Sequence, residues 1–296
     1  MMLASVMKSI SALKKDREHG ATFLGRQALE ILRQAASDSA ADTSEKLLAE
    51  ISHVADALIE SRPGMVSIAN YALFVKEELA AAAVTAKSPQ RLKKTAFSIT
   101  SRLLKSQEKS ATAASRNAVK LVTKRSIVMT CSYSSSVCSA LEMAMRGGTD
   151  FKVLAVDSRH KKISYGEITA KRLQAAGISC SVVPVGQLDW HVARADYILC
   201  GADTVSLHGW LINGEPSLEL AEVAARKKKP FHIVCETAKF DARGFLTGLH
   251  RPESGFDMVP LELVSGIVTE RGVLTVDDAL KLTVDDLCGS WHGGTG

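Results

Sequence analysis

No stretch of this 296-residue chain approaches the uninterrupted apolar run of about 20 residues that spans a bilayer. The N-terminus, Met1-Met2-Leu3-Ala4, is mildly apolar but gives way to Lys8, Lys14 and Lys15, without the charged, apolar and cleavage regions of a leader. The six cysteines form no C-x-x-C pair, and no histidines fall at metal-ligand spacing. That argues against a disulfide frame and against a metal site. Cys131, Cys180, Cys200 and Cys235 lie in or beside apolar runs and read as reduced core thiols of a cytoplasmic protein. Neither G-x-G-x-x-G nor G-x-x-x-x-G-K-[ST] occurs, so no dinucleotide or P-loop cofactor is implied. His19, His160, His191 and His208 are scattered and assemble no Ser-His-Asp triad.

What is present suffices for a large core, since 46% of the residues are hydrophobic. Charge divides unevenly. Residues 1–124 carry 19 Lys and Arg against 12 Asp and Glu, whereas the remainder carries 18 against 20. The basic excess therefore lies wholly in the first part of the chain.

Those first 124 residues read as helical throughout. Phe23, Leu24, Ala28, Leu29, Ile31 and Leu32 recur at helical spacing. Thr43-Ser44-Glu45 caps a second periodic run, Leu47 to Leu58, which stops at Pro63. A third helix is expected over residues 66–84. Ser88-Pro89 opens a long one reaching about residue 124, with proline at the tolerated first position. On it Arg91, Arg102, Lys105, Lys109, Arg116, Lys120 and Lys124 share one arc, opposite Leu103, Leu104, Ala114, Ala118 and Leu121. This basic face has no stacking aromatics, so it reads as a solvated face and nucleic acid is not an expected partner.

From residue 125 the period changes. Strand-length apolar runs appear at 126–130, 152–156, 180–185, 197–200, 231–235 and 263–268. Helical stretches fall between them at 135–145, 167–176 and 217–226, with another at 276–281. The alternation predicts a Rossmann-like, doubly wound parallel α/β sheet following an N-terminal helical domain. The expected domains are 1–124 and 125–296, with a disordered tail from Gly289 to Gly296.

Four polar clusters follow the apolar runs. They are Thr130 to Ser136, Asp157-Ser158-Arg159, Gly201-Ala202-Asp203 and Glu236-Thr237-Ala238-Lys239. In such sheets ligands bind beyond the carboxyl ends of the strands. Hydroxyls and backbone amides at a helix N-terminus suit an anion, Arg159 and Lys239 add positive charge, and Asp203 adds a carboxylate. The combination points to a small molecule that is both phosphorylated and hydroxylated.

These residues resemble those of a known superfamily. It comprises the alpha, beta and delta subunits of translation initiation factor 2B, methylthioribose-1-phosphate isomerase and archaeal ribose-1,5-bisphosphate isomerase. The resemblance runs through His19-Gly20-Ala21, Arg62-Pro63 with Asn70, Thr130 to Ser134, Arg159 with Gly166, and Gly201-Ala202-Asp203. It continues through Ile212-Asn213, Glu236-Thr237, Lys239-Phe240, Phe256-Asp257 and Thr269-Glu270-Arg271-Gly272. It implies dimers, or hexamers built from dimers, and a metal-independent acid–base pair of cysteine and aspartate in the isomerases. The aspartate falls on Asp203 and the cysteine on Ser132, where Thr130-Cys131-Ser132-Tyr133-Ser134 aligns with the enzymes' T-H-C-H-S. A serine hydroxyl is a far poorer acid than a thiol. Ser-Tyr-Ser is similar to the regulatory subunits. Gly20, Ala21, Arg62, Ser134, Arg159, Asn213 and Lys239 are the implied substrate-binding positions. Two departures stand out. His19 replaces an arginine, although Arg17 is close, and Asn213-Gly214-Glu215-Pro216-Ser217 lacks the usual lysine.

Two functions follow from the resemblance. One is a regulatory protein that binds a phosphorylated sugar or nucleotide and associates with copies of itself or related subunits. The other is an aldose–ketose isomerase acting on a C1-phosphorylated ribose.

Overall fold

The computed structural model describes residues 2–86, 88–248, 252–289 and 291. It divides into two compact units, Met1–Glu108 with Val284–Gly296, and Lys109–Thr283.

The first unit is helical: α1 Met2–Lys15, α2 Ala21–Asp38, α3 Ser44–Ser61, α4 Val66–Ala83 and the first part of α5, Pro89–Val119. Thr43 caps α3 by accepting the Lys46 N–H, and Glu45 complements its positive end. Leu24, Leu29, Leu32, Leu47, Ile51 and Leu58 are buried, as their spacing requires.

In the second unit β1 Ile127–Thr130 leads into α6 Ser135–Arg146, then β2 Lys152–Val156, β3 Arg159–His160 and β4 Ile163–Ser164. There follow α7 Tyr165–Ala175, β5 Ser179–Val183, α8 Leu188–Arg194, β6 Tyr197–Cys200, β7 Thr204–Ser206 and β8 Trp210–Gly214. The unit ends with α9 Ser217–Arg226, β9 Phe231–Val234, β10 Phe240–Asp241, β11 Phe256–Pro260, β12 Gly266–Thr269, β13 Gly272–Leu274 and α10 Val276–Leu280.

The large sheet has the order β13-β12-β9-β6-β1-β2-β5. All its pairings are parallel except β12 with β13. Counting only the parallel strands in chain order, the sheet runs third, second, first, fourth, fifth, sixth. That is the Rossmann order, with its reversal between β1 and β6. β6 is buried on both faces, as a central parallel strand should be.

Three features differ from the sequence reading. First, α5 ends at Val119 and not near residue 124. The chain tightens there, with Leu121 N–H on the Ala118 carbonyl and Val122 N–H on that of Val119, and Val122 is buried in the core of the second unit. Second, the units divide within α5 and not after residue 124, and the short helix α11, Val284–Cys288, belongs to the helical unit. Trp291, in the segment expected to be disordered, is buried with its ring 5.1 Å from Tyr71 and 5.2 Å from Phe74. Residues 290 and 292–296 lie outside the described residues. Third, a four-stranded sheet, β10-β7-β8-β11, follows the carboxyl edge of the large one. Its strands are 2 to 5 residues long, too short to show a period.

Candidate functional site

The loops after β1 and β6 flank the reversal of strand order. Ser132 follows β1 and holds φ at 61°, the left-handed region that residues with a Cβ seldom occupy. Its main-chain N–H donates to the Ser158 hydroxyl at 2.7 Å, and its carbonyl accepts from Thr169 Oγ1 at 3.2 Å. Ser134 caps α6 by accepting the Val137 N–H at 3.3 Å. From the β6 side Gly201 comes so close that a Cβ there would lie 2.6 Å from Ser134 Oγ. A Cβ on Gly214, at the end of β8, would overlap Ser132 Oγ and lie 3.0 Å from Ser132 Cβ. Only glycine fits at either position without moving a serine.

Asp203 is bound into the same region. Its N–H donates to the Ile212 carbonyl at 2.9 Å, which sets it beside Asn213 on β8. Its charge also reaches Lys239. Lys239 is buried and lies 3.3 Å from Glu236. Burial pulls the Lys239 pKa down, but Glu236, Cys235 and Asp203 outweigh burial and hold it above the ordinary lysine value. The ammonium is therefore charged at neutral pH. Asn213 is buried and donates from Nδ2 to the Ser217 hydroxyl at 2.7 Å.

The second unit thus brings Ser132, Ser134, Asp203, Asn213 and Lys239 to one sheet edge. Arg159 lies on the β3–β4 hairpin, about half exposed, 3.3 Å from Asp157 and 3.4 Å from Glu167. It faces carboxylates of its own hairpin and of α7. Gly20, Ala21 and Arg62 belong to the helical unit. There Gly20 precedes α2 and Ala21 is its buried first residue. Arg62 is buried and donates to the Asp16 carbonyl at 2.7 Å. Arg17 donates to the carbonyls of Lys14 and Asp16, so it is tied to the end of α1. The His19 ring stacks on Phe23 at 3.9 Å.

Cys131 is the thiol nearest in sequence to Ser132, and it is buried beneath the loop. Burial pushes its pKa up to about 11, so it is not a thiolate at neutral pH. Its sulfur lies 3.3 Å from Ser158 Oγ and 3.6 Å from Ser217 Oγ. Ser158 and Ser217 are buried members of this site that the sequence reading did not single out as ligands or supports. Ser158 lies inside a flagged polar cluster, and Ser217 ends the Asn213-to-Ser217 motif. Glu270 accepts from both the N–H and the hydroxyl of Thr237, fixing the turn that delivers Lys239. Among the described residues no three His, Cys, Asp or Glu side chains are grouped to hold a metal ion.

A Rossmann-type sheet with polar groups gathered at its order reversal defines a class of ligand-binding α/β proteins. Comparison with known proteins narrows it. The profile of the Initiation factor 2 subunit family matches residues 17–250, and the chain belongs to that family. It is 24% identical over 310 residues to a ribose 1,5-bisphosphate isomerase of Pyrococcus furiosus, covering 97% of this chain and 95% of that one. It is 25% identical over 288 residues to a putative translation initiation factor eIF-2B subunit 2-like protein of the same organism, covering 93% of this chain and 98% of that one. A solved tetrameric eIF2B-beta2-delta2 complex from C. thermophilum has a chain that superposes with a TM-score of 0.82 at 20% identity, over 97% of this chain and 95% of its own.

Proposed function

We propose that this protein binds a phosphorylated sugar or nucleotide at the β1–β6 edge and acts as a regulatory initiation factor 2B-like subunit. One observation carries the reading. The family resemblance sets Ser132 at the position of the isomerases' cysteine, and the adjacent Cys131 thiol is buried and protonated. Asp203 and Asn213 suit sugar hydroxyls. Lys239, Ser134 and the N-terminal amides of α6 suit a phosphate, with Arg159 at the rim. The loop after β1 offers the Ser132 hydroxyl and the protonated Cys131 thiol, both poor acids for the second proton transfer of an isomerisation.

The isomerase reading has one supporting observation, the charged Lys239 beside Asp203. Its substrate would be a C1-phosphorylated ribose, and turnover tests it directly. The protein is further proposed to be cytoplasmic and to assemble as a homodimer, as a hexamer of dimers, or with related subunits. Among the described residues no helix is long and apolar enough to cross a membrane.

Calorimetric titration with ribose 1,5-bisphosphate and with nucleoside monophosphates tests the binding site. Saturable heat that Lys239→Ala reduces at least tenfold in affinity is the expected result. No heat with any of these compounds overturns the reading.

A further inference from the structure

Beneath the candidate site runs a chain of buried polar contacts that no ligand-facing role accounts for. Ser158 is 0% exposed; its hydroxyl accepts the Ser132 N–H at 2.7 Å and lies 3.3 Å from Cys131 Sγ. On the other side of the thiol is Ser217, also 0% exposed, with its oxygen 3.6 Å from the sulfur. The Ser217 hydroxyl donates to the Gly214 carbonyl at 2.6 Å and accepts from Asn213 Nδ2 at 2.7 Å. The series therefore begins at Ser132 and ends at Asn213, two candidate ligand groups on separate loops.

The hydrogen bookkeeping is consistent. Ser217 has one proton, which the Gly214 carbonyl at 2.6 Å and the Cys131 sulfur at 3.6 Å can both accept, while its oxygen accepts from Asn213. Ser158 accepts from Ser132 and keeps its own proton for the sulfur or for Val156 O, 3.3 Å away. A buried carboxamide without the Ser217 acceptor would turn to find another, and a residue held at φ 61° needs its N–H anchored to stay there. Each serine thus restricts one ligand group, and Cys131 couples the two.

We propose that Ser158 and Ser217, bridged by the Cys131 thiol, are positioning residues that hold Ser132 and Asn213 where they receive the hydroxyls of a phosphorylated ribose. This rests on the proposed binding function. It assigns to Cys131 a role in place of the acid–base one that its neighbour's position has in the isomerases. The series supports the sugar-facing groups and leaves the phosphate-facing Lys239 and Ser134 alone. Its loss should change discrimination between a sugar phosphate and a bare phosphate.

The test is calorimetry with ribose 1,5-bisphosphate and, separately, inorganic phosphate, on the wild type and on Ser217→Ala, Ser217→Thr, Cys131→Ser and Cys131→Val. The last keeps an apolar group of similar size in a buried position and so stays folded. Expected is a loss of about tenfold in affinity for ribose 1,5-bisphosphate in Ser217→Ala and Cys131→Val. Phosphate affinity stays unchanged, and Ser217→Thr and Cys131→Ser retain sugar binding. Equal affinity for the bisphosphate in wild type and Cys131→Val overturns the proposal, as does a parallel loss of phosphate affinity. A wild type that binds no ribose phosphate at all defeats the proposed function itself, which distinguishes the two failures.

Discussion

Ser132 and Gly214 approach so closely that a methyl group on Gly214 would overlap the Ser132 hydroxyl. The contact joins the loop after β1 to the end of β8, and with them two candidate ligand groups, Ser132 and Asn213. Gly214→Ala is expected to cost about 1–3 kcal/mol, the usual penalty for overpacking a tight site. Urea denaturation checks this. A stability within about 0.5 kcal/mol of wild type would show that the loops yield freely.

Arg172 holds the same loop from the helical side. It donates to Glu142 at 2.7 and 3.2 Å, to the Tyr133 hydroxyl at 3.0 Å and to Ser139 Oγ at 3.0 Å. Burial disfavours its charge, but Glu142 and Tyr133 more than compensate and raise its pKa. Arg172→Ala should destabilise by about 2–3 kcal/mol, because Glu142 loses its partner in a mostly buried setting. Arg172→Lys should recover only part, since an ammonium cannot reproduce the guanidinium fork. Equal stability of the two variants would contradict this account of the loop.

All six cysteines are buried. Burial pushes Cys131 and Cys180 up to about 11 and Cys138 up to about 12. Native protein near pH 8 should therefore react with iodoacetamide only slowly, and all six should react at once in denaturant. Rapid modification of Cys131 in the native state, read by mass spectrometry, would mean that its thiol is available for chemistry.

His232, on β9, gives a pH signature. Burial lowers its pKa below 6.5, against a smaller opposing effect from the Gly266 backbone. The unfolded chain therefore takes up this proton first as the pH falls. The His232 contribution is full above about pH 6.5 and is lost on acidification towards the folded-state value. The urea midpoint should fall between about pH 7.5 and about pH 5.5, and less so in His232→Asn. An identical pH dependence in the variant would rule this out.

Much of this architecture is legible from residue patterns. The helical period up to residue 124 and the alternation after it specify the two kinds of unit, and four strands of the parallel sheet are short apolar runs closed by a polar cluster. Asp203 and Ser132 stand out for the same reason, since both follow such runs. What escapes is set by contacts across the chain. Ser217 reads only as the last residue of the Asn213-to-Ser217 stretch, and its bonds to Asn213 and Gly214 show what it does. Arg159 reads as a phosphate ligand, yet the carboxylates of Asp157 and Glu167 that meet it are brought there by the hairpin and α7. Trp291 sits among glycines in sequence and packs only because Tyr71 and Phe74 lie in the unit to which it returns.

The proposed site binds its ligand without turning it over, because Ser132 and the protonated Cys131 stand on the loop after β1. The most direct measurement is phosphorus NMR of ribose 1,5-bisphosphate mixed with a stoichiometric amount of the protein. Shifted or broadened phosphate signals are expected, with the compound unchanged over hours. Unperturbed signals would contradict the site, and conversion to a ketose bisphosphate that Asp203→Asn abolishes would show that the protein is an isomerase.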